Sequence, residues 1–344
     1  MTISLDNRIT LEGSPGSPYT RKMLAVMRYR HIPYRFLFPG STAKLGWHQP
    51  KVRLLPTFYF PDANGEPEPV TDSSPVIVRL ESMFPQRNVI PTDPVLAMLD
   101  RLLEDYADEW LTKPMFHYRW NYNEDIQRSS EVLPHWRWPG SSDDFIRARG
   151  QEFATRQISR LEVVGSNEVT KPVIEQSFRR LITLLNSHFS EHRFLMGARP
   201  GASDFAFFGQ LTCLVQFDPT PMALSLSSGG RLFAWVSTIE DLSGCEPTEA
   251  DWLSVDALPG SVNALLSEMG RTYVPVMLAN EAAIRGGNEI VQAQVDGLTW
   301  TQKPFSYQAK CLAWLRNAAA GLSANDKRRL QTVVDDTGVD ALFE

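Results

Sequence analysis

The apolar residues Ile9 and Leu11 lead into a stretch of small, turn-forming residues, Gly13-Ser14-Pro15-Gly16-Ser17-Pro18. An amphipathic run, Met23, Leu24, Val26 and Met27, leads out of it. This pattern predicts a strand, a tight turn and a helix, with Pro18 in the first helical turn. His31-Ile32-Pro33-Tyr34 stops the helix, and Tyr34 to Phe38 reads as a short strand. Ser41 to His48 reads equally as a short helix or an irregular loop. Leu54 to Phe60 is an apolar strand with Pro56 near its start, where a proline is tolerated. Asp62-Ala63-Asn64-Gly65 turns the chain back through Glu68 to Val70. Thr71-Asp72-Ser73-Ser74-Pro75 opens a helix that buries Val76, Ile77, Leu80 and Phe84. The order to residue 84 is β-α-β-α-β-β-α.

Pro85 to Pro94 is polar and proline-rich and reads as a linker. Helical periodicity dominates beyond it. Val95 to Tyr122 reads as one helix or two in line, with Pro114 as a kink or break. Asn123 to Asp143 reads as an acidic, aromatic loop around His135-Trp136-Arg137-Trp138-Pro139, with His135 on the surface. Asp144 to Val164, Glu168 to Phe189, Gly201 to Phe217, Leu232 to Leu242 and Ser261 to Ile284 read as helices, and Ser225 to Arg231 as a loop. Alternation then returns around Asp296-Gly297, a hairpin signal. Phe305 to Ala320 and Asn325 to Thr337 read as two closing helices.

At 344 residues the chain exceeds one ordinary core, so two domains are expected. A hydrophobic share of 43% with 22% charged residues is that of a soluble globular protein. The net charge of −6 argues against a nucleic-acid partner. Cys213, Cys245 and Cys311 are far apart and odd in number, so no disulfide framework or metal spacing is visible and a reducing cytoplasm is expected. Met1 to Arg8 lacks the apolar core of a leader, and no apolar run reaches the length of a membrane span.

The turn at Gly13–Lys22 carries the candidate chemistry. Small residues let a ligand approach the backbone, and a helix N-terminus attracts negative charge, so a thiolate there would be stabilised by dipole and hydroxyl together. The same residues also read as a capped helix that binds nothing. Ser14 competes with Ser17 as the relevant hydroxyl, and Tyr19 reads either as a site residue or as core. Asp72-Ser73 is an N-cap or a ligand contact. Asp204 reads as structural, satisfying amides at the start of the helix opened by Gly201. The aromatic stretch Tyr106, Trp110, Phe116, Tyr118, Trp120 and Tyr122, with His117 and Arg119, reads as core or as the wall of an apolar pocket. Trp136 and Trp138 read as a lid or as a contact for the tail.

Four pieces, in order, carry a resemblance. Ser17-Pro18-Tyr19-Thr20-Arg21-Lys22, Leu55-Pro56, Asp72-Ser73-Ser74-Pro75-Val76-Ile77 with Leu80-Glu81, and Phe194-Leu195-Met196-Gly197-Ala198-Arg199-Pro200 with Asp204-Phe205 resemble motifs of the glutathione S-transferases. The opening is similar to that of serine-type, bacterial-like members. The resemblance spans roughly residues 8 to 285, where the family usually has Ser or Thr at the position of Gly201. The tail from Ile290 to Glu344 is an extension that it does not cover.

The resemblance implies a glutathione transferase fold: an α/β thioredoxin-like N-terminal domain plus an all-α C-terminal domain. The expected bounds are 1–86 for the glutathione-binding domain, 87–94 for the linker, 95–285 for the helical substrate domain and 286–344 for the extension. It implies glutathione as co-substrate and no metal. Ser17 is the catalytic residue; Leu55, Pro56, Asp72, Ser73 and Lys51 hold the tripeptide. Tyr106, Trp110, Phe116, Arg119 and Trp120 form the substrate pocket, with Arg119 or His117 polarising a leaving group. Pro56 is expected to be cis, turning the backbone of Leu55 toward the cysteinyl residue. Asp72 takes the ammonium, Ser73 and nearby amides the γ-glutamyl carboxylate, and Lys51 the glycyl carboxylate. Partners are glutathione and a small apolar electrophile, with no nucleic acid or membrane, in a cytoplasmic homodimer. Serine in place of cysteine forms no mixed disulfide, so conjugation, with a role in detoxification, or lyase chemistry is expected rather than thiol–disulfide exchange. The alternative is a non-catalytic binding or scaffold protein on the same fold.

Overall fold

A computed structural model describes residues 8–344. The reading of the N-terminus as lacking a leader falls almost wholly outside the described residues. Strand β1 (Ile9–Glu12) is followed by α1 (Pro18–Tyr29), β2 (Tyr34–Leu37), a single turn α2 (Ser41–Lys44), β3 (Thr57–Pro61), β4 (Pro67–Thr71) and α3 (Ser73–Met83). The sheet order is β2-β1-β3-β4, with β1 parallel to β2 and antiparallel to β3. This is a thioredoxin-like sheet. Leu11, Phe58 and Phe60 of the strands are buried with Met23, Val26 and Met27 of α1 and Val76, Ile77 and Leu80 of α3. The third strand starts at Thr57, later than the apolar run suggests, because Pro56 offers no N–H to the ladder. Glu12 settles the form of the 41–48 segment. Its buried carboxylate accepts from the amides of Gly40 (3.0 Å) and Thr42 (2.8 Å), which fixes one helical turn before a loop.

The helical part opens with α4 (Pro94–Glu109), capped by Asp93, which accepts from Val95 N (2.8 Å) and Leu96 N (3.1 Å). The chain breaks at Trp110-Leu111 before α5 (Thr112–Asn121). Pro114 thus lies in the first turn of α5, where its missing N–H costs nothing. Helix α6 (Asn123–Arg137) corrects the loop expected over 123–143. Its buried face is Asp125, Ser129 and Pro134, polar or small positions that apolar periodicity does not register. Gly150 of α7 (Asp143–Ile158) lets the two helices touch, since a Cβ there would meet the Ser130 carbonyl at 2.1 Å. His135 is exposed, as expected.

Helix α8 (Lys171–Glu191) leads to the central α9 (Ala202–Leu211), every residue of which is buried. A π-helical stretch, Thr212–Phe217, extends it. Helices α10 (Pro219–Ser227), α11 (Arg231–Ile239) and α12 (Gly260–Gly286) complete this part. The 225–231 loop is correspondingly shorter than expected, because α10 continues to Ser227. Gly201 offers no capping side chain, and Asp100 of α4 takes that role by accepting from Ala202 N (3.1 Å) and Ser203 N (3.2 Å). Asp204 accepts from Gly201 N and Leu195 N, both at 2.9 Å, so it is structural.

The extension begins with a hairpin, β5 (Val291–Val295) and β6 (Leu298–Gln302), turning through Asp296 and Gly297 at positive φ. It packs on α12, and Trp300 meets Trp110 with ring centres 5.3 Å apart. Helices α13 (Ser306–Ala320) and α14 (Ala324–Val334) then lie against α12 and α4. No helix among the described residues is long and apolar enough to cross a membrane.

Candidate active site

The turn between β1 and α1 is set by its own hydroxyls. Ser17 is the N-cap of α1, accepting from Thr20 N (3.3 Å), while Thr20 Oγ1 accepts from Ser14 N (3.3 Å). Arg21 Nε donates to Pro15 O (2.9 Å) and closes the loop from behind. Gly209 of α9 lets α1 come close, since a Cβ there would lie 2.5 Å from Pro18 O. The turn is thus seated on the central helix of the other domain. Ser17 Oγ donates to Leu55 O at 3.3 Å, so Ser17 rather than Ser14 meets the loop that enters β3. The Leu55-Pro56 bond is cis. Lys51 is exposed on the same loop.

Asp72 and Ser73 stand at the tip of α3. Asp72 has φ +84° and makes no side-chain cap for its own helix. Pro75 has no N–H and Val76 N reaches Asp72 O (3.4 Å), which leaves the amides of Ser73 and Ser74 at the helix tip. Behind Ser73 lies Lys22, 1% exposed, with Nζ 3.1 Å from Ser73 Oγ, 2.7 Å from Glu104 Oε1 and 2.6 Å from Asp108 Oδ2. Burial alone would lower its pKa, but the carboxylates of Asp108 and Glu104 carry it above the usual lysine value, so it stays an ammonium. Burial lifts Asp108 to about 6 against the pull of Lys22. The Lys22 ammonium behind Ser73 is thus balanced by Glu104 and Asp108, and it orients the Ser73 hydroxyl.

The residues expected to form one pocket are not brought together. Tyr106 and Trp110 are core: Tyr106 packs on Phe207 and Tyr273, and Trp110 on Trp300. Trp120 is buried against Phe153 and Phe116. Arg119 is committed to Asp218, with Nε 3.0 Å from each oxygen, and its Nη1 donates to Gly16 O (3.3 Å). It holds the turn rather than facing a leaving group. His117 is buried between Ser166 Oγ (2.8 Å) and Glu175 Oε1 (3.2 Å), so it does not polarise a leaving group at the turn either. Phe116 alone of the five is only partly buried.

Other residues approach the turn instead. A Cβ on Gly16 would meet Leu133 at 2.6 Å and Trp136 at 3.1 Å, so α6 walls this side. Trp136 stacks obliquely on Phe217, 5.4 Å between ring centres. Tyr19 spans the domains by donating to Asp108 O (2.8 Å). Finally, Tyr307 of the extension donates to Asp72 Oδ2 at 2.7 Å. The hairpin tip at Asp296 is elsewhere, paired with Arg180 (2.9 Å).

The thioredoxin-like sheet followed by a mostly helical part is the arrangement expected of the glutathione transferase fold, and residues 11–88 match the family model described as glutathione S-transferase, N-terminal domain. No curated protein matches the chain. Among solved structures it is similar to a glutathione transferase family member from Pseudomonas fluorescens pf-5 with two glutathione bound (14% identity, 69% of this chain and 89% of that one, TM-score 0.44). It is also similar to a glutathione S-transferase of Methylobacterium radiotolerans in complex with glutathione sulfonate (18%, 71% and 94%, TM-score 0.41). A third is the β-etherase LigF of Sphingobium sp. strain SYK-6 (17%, 70% and 95%, TM-score 0.40).

Proposed function

We propose that the protein is a serine-type glutathione S-transferase that adds the glutathione sulfur to a small apolar or aromatic electrophile. The observation that carries the reading is the Ser17 hydroxyl 3.3 Å from Leu55 O, at the mouth of the sheet that also presents Asp72 and Ser73. The family match over residues 11–88 supports it.

Each residue then has a task. The tip of α3, with the amides of Ser73 and Ser74, takes the γ-glutamyl carboxylate. Asp72 takes the ammonium. Leu55, before Pro56, pairs with the cysteinyl backbone, and Lys51 meets the glycyl carboxylate. Ser17 donates to the sulfur. A hydrogen bond to a charged group contributes about 1.5–3 kcal/mol, or roughly one to two pKa units on a thiol of about 8.5. The thiol proton leaves to solvent. The thiolate then attacks carbon; at an aryl chloride the C–S bond forms as chloride departs with its electron pair, and at an enone or epoxide the displaced pair stays on the product as enolate or alkoxide, which takes a proton from solvent. Leu133 and Trp136, which approach Gly16, bound the electrophile side, while Tyr106, Trp110 and Trp120 lie in the core. The reading places the protein in a reducing cytoplasm and, from the resemblance, as a homodimer, which sedimentation velocity tests.

The test is conjugation of glutathione to a panel of aryl chlorides, enones and epoxides. Product from the wild type, reduced 10–100-fold in kcat/KM by Ser17→Ala, supports the reading. No product from any of them contradicts it. Release of a phenol from an aryl ether would assign the lyase branch. One observation favours the non-catalytic alternative: Tyr307 already holds one oxygen of Asp72.

A further inference from the structure

Tyr307 belongs to a segment outside the residues that match the family model, yet its hydroxyl lies on the carboxylate to which the ligand ammonium is assigned. Two roles are open to such a contact, a displaceable plug or a fixed wall. The anchoring of α13 decides between them. Asn280, fully buried in α12, clamps the start of α13 by donating from Nδ2 to Phe305 O (2.9 Å) and accepting Phe305 N (2.7 Å). One residue beyond Tyr307, Gln308 is buried and reaches Glu109 O (3.4 Å). Leu312 and Leu315 continue the same helix into the core. An element tied on both sides of Tyr307 is a wall.

The chemistry of the contact points the same way. Asp93, also at a helix start, is held by Arg329 at 2.8 Å, which offsets its charge. Asp72 is held by a neutral hydroxyl, which orients the carboxylate and leaves its charge available. Its other oxygen, Oδ1, has no hydrogen-bond partner among the described residues. Burial, with Cys311 and Asp72 beside it, keeps the Tyr307 hydroxyl protonated and therefore a donor. Of the α4 carboxylates, Glu104 accepts from Ser74 Oγ at 2.9 Å, two residues from Asp72, and Asp108 Oδ1 is buried without a partner. Lys22 is turned to Glu104, Asp108 Oδ2 and Ser73. The Asp72 Oδ1 left open beside this fixed hydroxyl is thus an acceptor for a cationic donor.

We propose that Tyr307 is a positioning residue of an ammonium subsite: it fixes Asp72 through Oδ2, leaves Oδ1 for an unsubstituted α-ammonium, and makes the C-terminal extension part of the ligand site. The inference rests on the glutathione reading and adds to it the element that selects a free γ-glutamyl head group. A bulkier N-acyl group would meet the Tyr307 ring and lack the positive charge.

The experiment is calorimetric titration of the full chain, wild type and Tyr307→Phe, with S-methylglutathione and with its desamino analogue, in which the ammonium is replaced by hydrogen. Melting temperatures check that both variants are folded. The expected result is a 3–10-fold weaker Kd for S-methylglutathione in Tyr307→Phe and no change for the desamino analogue. In an Asp72→Asn background, which keeps an acceptor without the charge, Tyr307→Phe then changes neither Kd. Equal weakening of both ligands would reduce Tyr307 to a packing residue and overturn the proposal, as would an unchanged Kd for S-methylglutathione. If the wild type binds neither ligand at millimolar concentration, the glutathione reading itself fails, and the subsite with it. If Tyr307→Phe does not fold, Tyr307→Trp, which keeps a ring and a donor but displaces it from Asp72, is read by the same criteria.

Discussion

Ser17 Oγ donates to Leu55 O at 3.3 Å and accepts from Thr20 N at 3.3 Å, so its single proton points at the backbone that a glutathione cysteine would address. To stabilise a thiolate, that proton must turn from the Leu55 carbonyl to sulfur. On the proposed reading, a cysteinyl N–H arriving at Leu55 O competes with the Ser17 donor there and frees its proton to turn. On that reading, docking of the peptide backbone and activation of the thiol are coupled through one exchange of hydrogen bonds.

The exchange predicts a split effect for Ser17→Ala. Glutathione affinity should change little, because Leu55 O gains a donor without losing one to competition. The bound thiol pKa, read from thiolate absorbance, should rise by about one to two units. Stability should fall by about 0.5–2 kcal/mol, because the same hydroxyl caps α1.

Lys22 joins α1 to α4 through Glu104 and Asp108 and to α3 through Ser73. Lys22→Met should leave two carboxylates buried without their cation, costing about 3–5 kcal/mol. Urea unfolding measures the loss. A variant as stable as the wild type would show that these carboxylates are protonated and need no partner.

Gly201→Ser should destabilise, although serine is the better cap in isolation. The cap gain over glycine is about a few tenths of a kcal/mol. A Cβ at 201 would lie 2.2 Å from Asp100 Oδ1, and such overpacking costs about 1–3 kcal/mol. A raised melting temperature for Gly201→Ser would contradict this account of the α9 start.

His188 is fully buried, with Nε2 on Phe194 O (3.0 Å) and Nδ1 on Ser261 Oγ (2.9 Å). Burial holds its folded pKa below the ordinary histidine value, only partly opposed by Phe194 O. Below about pH 6.5 the unfolded chain therefore binds more protons than the folded one. The contribution of His188 is present above that pH and is lost as pH falls, by at most about 1.4 kcal/mol per pH unit. The stability gap between wild type and His188→Gln should narrow from pH 7.5 to pH 5; a constant gap would contradict it.

The sheet half was legible because strand alternation, Asp62-Ala63-Asn64-Gly65 and the serine-rich helix starts are local signals. Helix α6 was not, because its buried face uses Asp125, Ser129 and a close approach at Gly150 in place of apolar side chains. The pocket was chosen by residue type: aromatic residues mark burial, but which face of α5 meets the turn depends on the break at Trp110-Leu111. Lys22 lay in plain view, since Pro18, Lys22, Ala25 and Tyr29 share one buried stripe of α1. A lysine in an apolar stripe implies a buried partner. Nothing local marks Tyr307 as a neighbour of Asp72, because that contact is made only when the extension folds back across the chain.

The most direct measurement is calorimetric titration of glutathione into the wild type and into Asp72→Ala. Saturable binding to the wild type, weakened tenfold or more by the substitution (about 1.4 kcal/mol), is the predicted result. No heat at millimolar glutathione, with no shift in melting temperature, would contradict a glutathione site on this fold.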